Sequence, residues 1–151
     1  MLSKVRKEKL LISACLLGQN VKYNGGNNQI DIKELEELYE LIPFCPEVEG
    51  GLPTPRPSSE IVSESPLIIK NINDEDVSQA FILGAKKAVA LAKNEGIKKA
   101  FLKANSPSCG KGKIYDGKFS GILIEGNGVT VKFLEEEGIE VFNESSSLFA
   151  F

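Results

Sequence analysis

The stretch KLLISACLLG, Lys9 to Gly18, decides the fold. Its apolar run lacks the alternation of a strand with one wet face, so it reads as a short strand buried on both sides. Such a strand belongs in the middle of a parallel sheet with helices on both faces. Cys15 follows the run directly, and a polar, glycine-rich segment, Tyr23-Asn24-Gly25-Gly26-Asn27-Asn28, leads away from it.

Working outward, Asp31 begins a helix, with Glu34 at capping-box spacing and Ile32, Leu35, Leu38 and Tyr39 on one face. LIPFC, Leu41 to Cys45, is a second short strand that Pro46 helps to end. Gly50, Gly51, Pro53, Pro55 and Pro57 then punctuate a long segment, which reads as an ordered functional loop. Ile61-Val62 and Leu67–Ile69 suggest a small hairpin or edge insertion. Asn73 or Asp74 caps the strongest helix. Its buried stripe is Val77, Phe81, Gly84, Ala85, Ala88, Val89 and Ala92, small enough to pack closely on a sheet, and Gly96 stops it.

KAFLKA, Lys99 to Ala104, is the third core strand and runs into Asn105-Ser106-Pro107-Ser108-Cys109-Gly110. Tyr115 to Phe119 carries hairpin-turn chemistry. Asn127 or Gly128 starts a last helix, with Val129, Phe133 and Leu134 inward and Gly138 at its end, and Ile139 to Phe142 is the last strand. This alternation predicts a single domain over residues 1–151. Its fold class is α/β: a three-layer, Rossmann-like open parallel sheet of about four strands, with right-handed crossovers and helices on both faces.

The composition is that of a globular protein, 42% hydrophobic with a net charge of -3, which argues against disorder. That charge offers no general attraction to nucleic acid or an anionic membrane, and Lys103, Lys111 and Lys113 read as solvated surface. No apolar run approaches the ~20 residues that span a bilayer. The basic start before Leu10 is followed by too short and strand-like a run for a signal peptide, so a cytoplasmic location is expected. There, three cysteines are not a disulfide framework, and buried thiols, a reactive thiol or metal ligands remain. The chain has no histidine, so any metal must take thiolate, carboxylate or backbone ligands.

Cys15, Cys45 and Cys109 each fall at or beyond the carboxyl end of an expected core strand. In an open parallel sheet those ends share one edge, where ligands bind. Singly, each cysteine could be a small apolar core residue. Together, in loops unlike core segments, they point to a shared site. Structural zinc takes four ligands, often as close pairs, and neither a C-x-x-C pair nor a histidine is present. Thiolates also hold iron–sulfur clusters, where three protein ligands on a cubane would leave one iron open. Two further readings stay open: a non-catalytic iron–sulfur or zinc module for sensing or interaction, and a metal-free cysteine nucleophile. Phosphate-loop and dinucleotide fingerprints are excluded by spacing.

The segments ISACLLG (Ile12–Gly18), CPEVEGGLPTPRP (Cys45–Pro57), Glu60-Ile61, SPSCG (Ser106–Gly110), IYDGKFSG (Ile114–Gly121) and GNGVTVKFLEEEGI (Gly126–Ile139) resemble those of the bacterial thiouracil desulfidases. The resemblance covers nearly the whole chain. It implies a [4Fe–4S] cofactor on Cys15, Cys45 and Cys109, and non-redox removal of sulfur from 2- or 4-thiouracil to give uracil and hydrosulfide. It places the catalytic acidic residue on Glu47 and the active-site serine on Ser106. Ser108, Tyr23, Asn24 and Arg56 are candidate substrate contacts. The implied partner is a small thiolated nucleobase. The larger relatives that act on thiolated tRNA carry a further C-terminal domain with no counterpart here, so nucleic acid is not the expected partner. A homodimer is neither required nor excluded by the sequence.

Overall fold

The computed structural model describes residues 7–145. In chain order the elements are β1 (Glu8–Ser13), a 3-10 turn (Ala14–Leu17), α1 (Lys33–Leu38), β2 (Tyr39–Phe44), α2 (Pro46–Glu49), β3 (Ser59–Glu64), β4 (Leu67–Asn71), α3 (Ser78–Glu95), β5 (Lys99–Leu102), β6 (Lys113–Tyr115), β7 (Leu123–Glu125), α4 (Val129–Glu136) and β8 (Glu140–Asn143). Strands β2-β1-β5-β8 form one sheet, every pair parallel. The expected four-stranded α/β sheet is therefore present, with β1 inside it. Its Leu10, Leu11 and Ile12 are all 0% exposed, the cause of the unbroken apolar run.

Successive residues of the sheet feed opposite layers. Leu11, Ala100, Leu102 and Val141 pack with Ala88 and Ala92 of α3 and Val131 and Leu134 of α4. Leu10, Ile12 and Phe101 pack on the other side with Leu16 of the 3-10 turn and Leu35 of α1. The expected small hairpin is the antiparallel β3–β4 pair. It joins Phe81, Ala85, Val129 and Ile114 in a third cluster, so α3 is clasped between the sheet and this ribbon.

Expectations for two helices are corrected. The first helix starts at Lys33, although Asp31 Oδ1 does accept the Lys33 N–H at 3.0 Å. Leu38 of that helix is exposed, and Tyr39 is buried as the first residue of β2. The long helix starts at Ser78, because the Asn71 side chain first captures the N–H groups of Asn73 and Glu75 at 3.0 and 3.1 Å. Asp76, not Asn73 or Asp74, then accepts the Ser78 N–H at 2.9 Å. The Tyr115–Phe119 segment does lie in a hairpin, ending β6 and opening the Asp116–Ile122 loop that leads to the antiparallel β7. The Pro/Gly-rich segment also hides α2, a single helical turn with Pro46 at its start.

Gly84 in α3 has a different use from the one its stripe suggested. A Cβ there would stand 1.9 Å from the Pro46 carbonyl oxygen, and one on Gly50 would stand 2.0 Å from that of Ala80. Helix α2 thus lies on the backbone of α3 at a distance that only paired glycines permit. Both obstructing atoms are backbone, so relief requires α2 to move, carrying Cys45 and Glu47 with it. Gly84→Ala is expected to cost about 3 kcal/mol or more, at the upper end for overpacking. By thermal melt that is a Tm loss of about 6–12 °C for a chain of this size.

Candidate functional site

The carboxyl ends of β1, β2 and β5 open onto a cavity of about 500 Å3 whose wall includes Cys15, Cys45 and Cys109. The topology explains the meeting. The chain leaves β1 for β2 on one side and later returns to β5 on the other, so the strand order switches at β1. Cys15 sits in the 3-10 turn, Cys45 at the start of α2, and Cys109 in the loop after β5. Cys109 belongs to the cluster on one face of the sheet, and Cys15 packs against that on the other.

The Cys109 loop is built on the start of α4. Val129 and Thr130 donate their N–H groups to the carbonyls of Pro107 and Ser108 at 3.0 and 2.9 Å, satisfying donors that a helix start leaves open. Gly128 N donates to Gly110 O at 2.7 Å, and a Cβ on Gly128 would meet Ser108 backbone at 2.5 Å. Sequence and loop therefore fit only with glycine at that crossing.

All three cysteines are free thiols. Burial is the main influence on each and raises its pKa, for Cys109 to about 12. Weaker contributions oppose burial: Asn28 beside Cys15, the N–H groups of Val48 and Glu47 beside Cys45, and Ser108 and Ser13 beside Cys109. The protein alone thus activates none of them as a thiolate nucleophile, which argues against the metal-free cysteine enzyme.

Beside the thiols lies a connected polar line. Glu47 Oε1 accepts from Arg56 Nε at 3.0 Å, in an ion pair with side chains only 5% (Arg56) and 15% (Glu47) exposed. Glu47 Oε2 accepts from Ser108 Oγ at 3.1 Å, and Ser108 Oγ lies 2.9 Å from Ser106 Oγ. With the Ser108 proton directed to the carboxylate, Ser106 is the donor in that last contact. Ser106 Oγ in turn accepts the N–H groups of Ser108 and Cys109, both at 3.1 Å. With Ser108 donating to Glu47 at 3.1 Å in preference to Cys109 Sγ at 3.5 Å, the line runs from Ser106 to Ser108 to Glu47.

The remaining candidates divide. Arg56 is held by protein at each guanidinium nitrogen, with Nη1 on Pro53 O and Thr54 Oγ1 and Nη2 on Val21 O. Tyr23 lines the cavity and is 43% exposed. Asn24 is not in the cavity wall; its side chain closes a local turn by accepting the Gly26 N–H at 2.9 Å. Asn28 takes the place in the wall instead, with Nδ2 3.5 Å from Cys15 Sγ. Lys103, assigned above to solvated surface, also lines the cavity and pairs with Glu144 at 2.8 Å. Glu60 and Phe119 are further wall residues for which no role was expected. Glu60 and Phe119 did lie in segments quoted for the family resemblance, and that was their only signal.

Fold and site together define an α/β protein with a small-molecule pocket ringed by thiols at the carboxyl edge of its sheet. The chain belongs to the 2-thiouracil desulfurase family, whose model matches residues 10–146. It is 38% identical over 144 residues to the uncharacterized protein YbbK of Bacillus subtilis (strain 168), covering 90% of this chain and 95% of that protein. It also resembles the solved structure of the [4Fe-4S]-dependent thiouracil desulfidase TudS, at 44% identity and a TM-score of 0.86 over 91% of each chain. The motif resemblance thus named the right family.

The shielding of Cys109 has a direct chemical expression. At pH 8 a thiol with a pKa near 12 holds at least about a hundredfold less thiolate than an ordinary one. In chelator-stripped protein, iodoacetamide is therefore expected to modify Cys109 at least about a hundredfold more slowly than after denaturation, read by mass spectrometry of the peptide.

Proposed function

We propose that this chain is a [4Fe–4S]-dependent thiouracil desulfidase that converts a thiolated uracil to uracil and hydrosulfide without net redox change. The observation that carries the proposal is the meeting in one cavity of three free thiols and the Ser106–Ser108–Glu47 line.

The donor set suits the cofactor. Among the described residues, no three His, Cys, Asp or Glu side chains are grouped to hold a single metal ion. The thiols are instead distributed around a cavity, as fits a group large enough to be gripped from three sides. Buried thiols that their surroundings keep neutral also suit a cationic group that would favour the thiolates. Cys15, Cys45 and Cys109 are the residues that would hold it. When bound, a cluster with three protein ligands supplies an open, Lewis-acidic iron suited to the sulfur of a thiocarbonyl.

The chain's own residues supply binding and proton handling. In this reading the reaction is hydrolytic: water adds its oxygen to the ring carbon and sulfur departs as hydrosulfide. Ser106, half-buried in the cavity wall, heads the hydroxyl line that ends on Glu47, and of the water's two protons one goes to the Glu47 carboxylate while the other leaves on sulfur as hydrosulfide. Ser108, 1% exposed at the cavity wall, links Ser106 to the carboxylate. Glu47 Oε2 is the terminal acceptor, and Arg56 holds the opposite oxygen so that Oε2 stays aimed at Ser108. Tyr23 borders the substrate space. No helix among the described residues is long and apolar enough to cross a membrane. Free thiols suit a reducing compartment, and we place the enzyme in the cytoplasm.

Anaerobically purified protein is expected to contain iron and sulfide and to release hydrosulfide from thiouracil. Cys15→Ser, Cys45→Ser and Cys109→Ser should each remove the cluster's visible absorbance. Protein that binds iron–sulfur yet releases no sulfide from 2- or 4-thiouracil would refute the assignment. Glu47→Gln should keep the absorbance and lower kcat by about 10²–10⁴, the usual range for a lost acid–base group. Ser108→Ala should act in the same direction, with KM for thiouracil changed less than about twofold because the hydrogen bonds it removes are those to Ser106 and Glu47.

A further inference from the structure

We propose that Phe119 selects the planar heteroaromatic ring of the substrate, and that Glu60 is the positioning residue that holds it at the cavity wall. This rests on the thiouracil reading above and adds the residue that recognises the ring.

The first observation is backbone conformation. Among the described residues, three other than glycine have positive φ: Asp74, Asn105 and Phe119. Asp and Asn tolerate the left-handed region, whereas for a bulky aromatic residue it is a true outlier. Phe119 has φ 55, where glycine or asparagine would make the same turn without strain. The ring must therefore have a use that the turn does not explain.

That use is not core packing. None of the three apolar clusters includes Phe119, although they take up partly buried neighbours such as Phe133 and Phe142. Phe119, half-buried, belongs to the cavity wall instead.

The strained conformation is enforced from outside. Glu60, 8% exposed in β3, uses Oε1 to accept the N–H groups of both Gly117 and Phe119, at 2.9 and 3.2 Å. Asp116 holds the same loop from within, accepting from Lys118 N at 2.9 Å and from Ser120 Oγ at 3.1 Å. Gly117 is pressed against β3, where a Cβ would stand 2.6 Å from Ile61 O. A loop this closely held keeps one aromatic side chain in an unfavourable backbone state at a pocket wall, the arrangement expected where strain serves binding. An aromatic face suits the flat ring of a thiolated pyrimidine and offers little to a non-aromatic thiocarbonyl.

The test uses the holoenzyme with thiouracil, thiourea and the product uracil. Phe119→Ala should raise KM for thiouracil, and the calorimetric Kd for uracil, about tenfold. Its kcat should change less than about threefold, and kcat/KM for thiourea should be unaltered. Glu60→Ala should reproduce this pattern, and Glu60→Gln, which keeps an acceptor oxygen, should restore near-wild-type values. Phe119→Gly should lose the same affinity while its Tm stays within about 2 °C of wild type or rises, since the left-handed turn suits glycine. The proposal is overturned by an unchanged uracil Kd in Phe119→Ala, by equal losses on thiourea, or by a Tm drop above about 5 °C in Phe119→Gly, which would make the ring a packing residue. A wild-type enzyme that binds uracil but leaves thiouracil intact would overturn the desulfidase reading alone, and the uracil titration would still decide for or against Phe119.

Discussion

The guanidinium of Arg56 ties together segments that no sheet or helix brings into contact. It reaches Val21 after β1, Glu47 in α2, and Pro53 and Thr54 in its own loop, while its backbone N–H holds Tyr23 O at 2.7 Å. Arginine suits this task because its donors fan out in a fixed plane and it stays charged when buried. Breaking such a buried pair typically costs about 3–5 kcal/mol, much of it the unpaired carboxylate left behind. The cavity therefore has a wall of definite shape on the side of the Tyr23 and Pro53–Arg56 segments, and Glu47 has one orientation.

The sheet edge and this ionic knot play complementary parts. The order β2-β1-β5-β8 brings the segments that carry the three thiols to one rim, and the turns after each strand complete their placement. The loops then decide which polar atoms face the thiols. Ser108 is fixed by the first turn of α4, Ser106 by the Gly110 N–H, and Glu47 by Arg56 and by the glycine contact between α2 and α3. Cys45 and Glu47 share α2, and Cys109 shares its loop with Ser106 and Ser108, so a shift of either segment moves a thiol and a polar group together.

Much of this was legible in the chain. Lys9 to Gly18 and Lys99 to Ala104 announce central strands because residues buried on both faces cannot alternate in polarity. Cys15, Cys45 and Cys109 stood out because each ends or follows such a run. The start of α3 was misplaced because Asn71 takes two backbone donors through its side chain, a competition that hydrophobic periodicity does not register. Helix α2 is a single turn inside a Pro/Gly-rich stretch, too short for any period to show. Asn28 could not be told from Asn24 by type or neighbourhood; only the fold of the loop separates them. Glu60 and Phe119 are single residues whose value lies in a contact across the chain, between a strand and a distant loop.

The spread of the thiols over three strand ends has a consequence in polymer terms. A group gripped by Cys15, Cys45 and Cys109 is a three-way cross-link, closing two loops that together span most of the chain. Loop closure removes freedom from the unfolded chain, by an amount that grows with the logarithm of loop length. Under the proposed assignment, cofactor and fold share one cooperative unit: anything that oxidises or strips the group also lengthens the free chain, and the catalyst is lost together with part of the tether that keeps the protein folded.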